Sequence, residues 1–233
     1  NTKFLPNPDC IHMQKQHVSS ITLKEFSRAA SSFPIVLIKN KETGQYNTAV
    51  MLGLEQNENL YYNKDQWKCN YAPLSILHHP FILGRDENDA EPNRLTTCLL
   101  DDTPFVSETE GQALYKEDGK PTELLTHYFG LLRELFEGEK ATNTFIEKLK
   151  ELDLIVPFTL ETVSAAGNKR QLTGLHMVEN TRVAALSAEK VQELHKLDYF
   201  RAIHAMDISL GNMVTMIKHK NDTLEDKIMN FQL

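Results

Sequence analysis

No stretch of eighteen or more apolar residues occurs in the 233-residue chain, so a membrane-spanning helix is excluded. Cysteine is scarce. Cys10, Cys69 and Cys98 stand far apart with no C-x-x-C, which reads as free thiols in a reducing, cytoplasmic setting and not as a disulfide framework. Basic charge is short as well: 25 Lys and Arg face 32 Asp and Glu, a formal charge of −7, so no surface for nucleic acid is expected. The opening Asn1-Thr-Lys-Phe-Leu-Pro6 has no apolar run of signal-peptide length. Catalytic signatures are missing too: there is no G-x-S-x-G, no Walker A, no G-x-G-x-x-G, no H-E-x-x-H and no H-x-D. Asp86-Glu-Asn-Asp-Ala-Glu91 begins like a calcium loop but has Ala90 fifth and no glycine sixth, where the turn needs it. Neither a metal nor a cofactor is therefore expected.

What is there suffices for a core. Apolar residues make up 41% and charged ones 24%, and no repeat or low-complexity linker divides the chain. We read one α+β domain over 1–233, with a core of about 17–219 and peripheral termini. Phe33-Pro-Ile-Val-Leu-Ile-Lys39, Tyr46 to Leu54 and Asn59 to Asn63 predict an antiparallel meander, with Gly53 marking a bulge or a close backbone approach. Phe81–Leu83 and Thr96–Leu100 read as further strands joined by the polar loop 84–92. Leu124, Tyr128, Leu131, Leu135 and their neighbours follow helical spacing. Gly138 reads as the end of that helix, and Phe145, Leu149 and Leu152 as a second, giving an αα-hairpin. A β-hairpin follows over 155–178, and Ser187 is the N-cap of the next helix. Tyr199, Ile203, Met206, Leu210, Met213 and Ile217 form an unbroken apolar seam, while Ile208, Gly211 and Thr215 leave the other side nearly uncharged. Such a helix is expected at the centre of the fold, covered on more than one side, or at an interface.

Several side-chain groupings could carry function. His204 and Asp207 are three apart on this helix, the spacing of a carboxylate orienting an imidazole. Ser209 sits about 140° round the helix from His204, too far for a nucleophile–base bond. The alternative is a structural histidine satisfied locally. His78 and His79 could bind metal or relay protons, but neighbours on an extended chain point apart. Trp67 and Tyr71, with Tyr61 and Tyr62, form either a platform for a ligand or ordinary packing. Asp101-Asp102 with Glu108 is either a cation site or a solvated acidic cluster.

An ordered set of short segments carries a family resemblance. It comprises Phe33-Pro-Ile-Val-Leu-Ile-Lys-Asn40 with Thr43-Gly44, Leu52-Gly-Leu54, Asn59-Leu60, Trp67, Tyr71-Ala-Pro73 and Pro80-Phe81. Later come Gly119-Lys-Pro121, Leu172-Thr-Gly-Leu175 and Ala202-Ile-His-Ala205 through Ser209-Leu-Gly-Asn212. Together, over roughly residues 17 to 217, the chain resembles the bacterial SapC family, named after an S-layer locus. One departure is Leu77-His78-His79, where the family tends to carry arginine and an aromatic. The resemblance implies no catalytic residues. It implies an accessory role, because family members lie near loci for the S-layer, for flavoproteins and for outer-membrane receptors.

The expected function is therefore a non-enzymatic accessory protein binding a protein or peptide partner, with self-association as the other partnership. Partner contacts are expected at Trp67, Tyr71, His78, His79 and Asn212. The rival is an enzyme or small-ligand binder whose pocket gathers His204, Asp207, Asn212 and Trp67.

Overall fold

Ile35, Val36 and Leu37 are consecutive and all fully buried, so the strand they form is covered on both faces. It lies inside a six-stranded antiparallel sheet of β1 (Val18–Ser20), β2 (Ile35–Lys39), β3 (Tyr46–Met51), β4 (Ile155–Ser164), β5 (Lys169–Val178) and β6 (Ile228–Gln232). The order across the sheet is β6-β4-β5-β2-β3-β1. The computed structural model describes residues 2–5, 10–85, 95–100 and 103–233. The loop 84–92 expected between two strands falls largely outside them, as do Asp86–Glu91 and Asp101-Asp102; Glu108 is exposed.

The helices are α1 (Phe26–Ala29), α2 (Leu74–Leu77), α3 (Glu123–Glu151), α4 (Asn180–Ala184), α5 (Ala188–Lys196), α6 (Tyr199–Ser209) and α7 (Met213–Asn221). The mixture of helices and antiparallel sheet is the α+β class expected, and the 155–178 hairpin stands as read. Ser187 caps α5, its hydroxyl accepting from the Lys190 N–H. Gly53 is a close approach: a Cβ there would run into the Glu58 carbonyl as the chain folds back.

Four expectations need correction. The αα-hairpin is one helix, α3, 29 residues and about 43 Å long. Gly138 does not end it, because no proline follows and the glycine is needed for packing: a Cβ would lie 2.7 Å from Thr22 Cβ. The termini are not peripheral. Phe4 is fully buried against Phe81 and Tyr128, on a short strand (Lys3–Phe4) paired with Val106–Ser107, and β6 completes the main sheet. The third meander strand shrinks to Tyr62–Asn63, turned back onto Gln66–Trp67 through Lys64 and Asp65, both at left-handed φ. Finally, the long apolar helix is α6 and α7 joined by a 3₁₀ turn, Leu210–Asn212. Its seam is buried, but Ile208 is 72% and Val214 60% exposed, so it is covered on one side only.

Two hydrophobic clusters result. The large one joins the sheet to α6 and the C-terminal end of α3 through Phe145, Ile146 and Leu149. The smaller gathers Phe4, Phe81, Leu114, Leu125 and Leu132 round the other end of α3.

Candidate functional site

Thr22 and Glu25 form a reciprocal N-terminal cap, the T-x-x-E pattern that starts a helix. Here the acid does more than cap. Glu25 is 1% exposed; its Oε2 accepts from the Thr22 N–H (2.8 Å) and hydroxyl (2.9 Å). Its Oε1 accepts from the Tyr71 hydroxyl (2.6 Å) and the Leu74 N–H (2.8 Å). A buried carboxylate is tolerable when donors replace its water, and four do so here. Burial, then the hydrogen bond and charge of Glu25, push the Tyr71 phenol far above its usual range.

That anchor fixes an aromatic wall. The Trp67 indole N–H donates to the Tyr71 carbonyl at 3.1 Å, and both rings lean on Phe33. The Arg28 guanidinium lies 5.9 Å from the Tyr71 ring centre, within cation–π range. In front of the wall opens a cleft of about 450 Å³, bounded by Leu74, Leu77 and Leu131 with Arg28 and Glu134. Trp67 and Tyr71 are thus brought together as expected. The reading from sequence missed Glu25, Arg28 and Glu134; the T-x-x-E spacing was the available signal for the first.

A family model described as SapC matches residues 1–216. The chain belongs to the SapC family. No curated protein and no solved structure matches it significantly.

The other candidate residues of this SapC chain lie elsewhere. His204 and Asp207 are exposed and do not meet; Asp207 accepts from the Asn180 amide (2.6 Å), while His204 stacks on Phe200. Ser209 is fully buried, donating to the Met206 carbonyl and accepting from the Ile35 N–H. The Asn212 amide bonds the carbonyls of Ala30 (2.8 Å) and Phe33 (3.3 Å), tying the 3₁₀ turn to the segment before β2. No group of three or more His, Cys, Asp and Glu among the described residues is placed to hold a metal ion. No helix among them is long and apolar enough to cross a membrane.

His78 and His79 do point apart. His78 Nδ1 faces the Phe81 carbonyl at 2.5 Å, whereas His79 stacks on His12, ring centres 4.0 Å apart, with Phe105 edge-on. Burial lowers His12 to about 4, helped by repulsion from His79 and His78 and opposed by a hydrogen bond to the Ile76 carbonyl. Burial and His78 likewise lower His79. Folded pKa values below the unfolded one mean that unfolding takes up protons. Stability should therefore be complete above pH 6.5 and fall as the pH drops towards 4. Full conversion of the His12 shift would give about 3 kcal/mol, and solvent screening at this half-buried ring reduces it to about 1–2 kcal/mol. Urea unfolding from pH 7.5 to 4 should show this slope. His79→Phe, which keeps a ring on His12, should remove the part due to His79 and its repulsion and leave the larger part due to burial.

Proposed function

We propose that this SapC chain works as one non-enzymatic accessory domain, docking a protein or peptide partner in the Trp67–Tyr71 cleft. The observation that carries this is the cleft's aromatic wall, held from behind by the buried Glu25 carboxylate before any partner arrives. Rigid aromatic anchors lose little entropy on binding, and Trp, Tyr and Arg dominate interface energetics. The occupant is an extended segment presenting one bulky apolar side chain between Trp67 and Leu131, flanked by opposite charges to meet Arg28 and Glu134. Cys10 and Cys69, both on this cleft and neither in a disulfide, support a reducing, cytoplasmic setting. The association of the family with S-layer and flavoprotein loci supports seeking the partner there.

Leu77 is 40% exposed at the cleft, so Leu77→Asp adds a charge without emptying the core. Affinity capture from the native cell should recover a protein with the wild type and not with this variant. The purified pair should then lose at least about tenfold in affinity, while Tm stays within about 2 °C. Equal binding by both proteins would refute the cleft as the docking site. Recovery of the chain alone would replace a foreign partner by self-association.

A further inference from the structure

Between the 155–178 hairpin and the end of α7 lies a second cavity, of about 700 Å³, within the size range of small-molecule sites. Leu54, Leu160, Leu172, Leu224 and Ile228 give it an apolar lining. Its polar end is built round Lys220, a residue of α7 that is only 7% exposed. Lys220 Nζ lies 2.5 Å from Glu58 Oε1 and 3.3 Å from Glu55 Oε1. The same Glu55 oxygen receives the Arg170 guanidinium at 2.5 Å.

The two acids are not equivalent. Glu58 is mostly buried and its second oxygen accepts from the Leu54 N–H (2.9 Å), so it belongs to the frame. Glu55 is about half exposed, and among the described residues no other hydrogen bond holds its carboxylate. It occupies a two-cation site that it can leave. Asp226, also on the cavity, is already engaged by the Ser164 hydroxyl, the Ala166 N–H and the Asn168 amide, which hold its carboxyl below the usual range. Lys169 at the rim is turned to Glu161, 3.6 Å away.

We propose that this cavity binds an amphipathic carboxylate whose headgroup displaces Glu55 from Lys220 and Arg170, its apolar body lying against Leu160, Leu172 and Ile228. Glu58 and Asp226 stay in place, so a ligand carboxylate restores the one negative charge that Glu55 withdraws from Lys220 and Arg170. That suits a monoanion; a phosphate dianion would bring one charge in excess beside Asp226. An alcohol of equal length would bury the same surface yet leave the cations to Glu55.

The test is isothermal titration of the full chain with decanoate, with decanol and decyl phosphate as controls. A parallel titration with 2-naphthoate separates a flexible-chain acid from a flat aromatic one. Decanoate or 2-naphthoate should bind one to one, with decanol and decyl phosphate at least about tenfold weaker than decanoate. Glu55→Gln removes the internal competitor and should tighten carboxylate binding several-fold. Arg170→Gln, a change at an exposed residue, should weaken it about tenfold. Equal affinity for decanol and decanoate would overturn the proposal. So would weaker or unchanged carboxylate binding by the Glu55→Gln protein, or no binding of either acid.

Discussion

Glu25→Ala should lower the free energy of unfolding by about 3–5 kcal/mol, the cost of removing one partner from a buried charged network. The substitution strips the acceptor from four donors: the Thr22 N–H and hydroxyl, the Tyr71 hydroxyl and the Leu74 N–H. Thr22 and Glu25, which lead into α1, are both buried, so water cannot readily replace the lost acceptor. Glu25→Gln keeps the volume and one acceptor oxygen but presents an amide N–H₂ to two of the donors, so about half the loss is expected. Tyr71→Phe removes a single bond and should cost about 1 kcal/mol. Urea unfolding measures all three, and the emission of Trp67, the one tryptophan, reports whether the aromatic wall loosens with them. A loss below about 1 kcal/mol for Glu25→Ala would show that the carboxylate does not organise this region.

The second large effect runs against helix propensity. Glycine to alanine inside a solvent-facing helix stabilises by about 1 kcal/mol. Gly130, exposed on α3 with nothing within 4 Å of an added Cβ, should behave this way. Gly138, two turns later on the same helix, should do the opposite. An added Cβ would meet Thr22 Cβ and Cγ2 at 2.7 Å, on the stem of a buried β-branched side chain that cannot swing away. Its neighbours Thr142 and Leu23 are also tied, the Thr142 hydroxyl donating to the Gly138 carbonyl and accepting from the Leu23 N–H. Gly138→Ala is therefore expected to destabilise by about 1–3 kcal/mol. Thermal unfolding of the two variants side by side separates the local gain from the packing loss; opposite signs are the expected result, and a shared stabilisation would refute the contact.

Gly138 also shows where reading the sequence stops. Its composition signal, glycine after an amphipathic run, is that of a C-cap; the cause of the residue is Thr22, 116 positions away, and no local pattern carries that information. The strands round Ile35–Lys39 and the 155–178 hairpin were legible because β-branched runs bounded by turn residues are local signals. Trp67 and Tyr71 were legible as a pair, yet the acid that orients them was not, since Glu25 and Tyr71 are joined only by the fold. Lys220 reads as one more basic residue at a helix end until its burial beside Glu58 is seen. His204 and Asp207 had permissive spacing, but Phe200 and Asn180 are the neighbours their side chains found. Spacing states what can meet on a helix; competition from other elements decides what does.

Helix α3 has a mechanical consequence. Leu125 and Leu132 are pinned in one cluster and Phe145, Ile146 and Leu149 in the other, so a single stiff shaft is clamped at both ends, with the Gly138–Thr22 contact as a bearing between the clamps. A twist or tug applied where Phe4 and Tyr128 meet should pass down that shaft and past Thr22, whose neighbour across the carboxylate is the aromatic wall. Strain at one end of the molecule would then reach the cleft through rigid contacts alone.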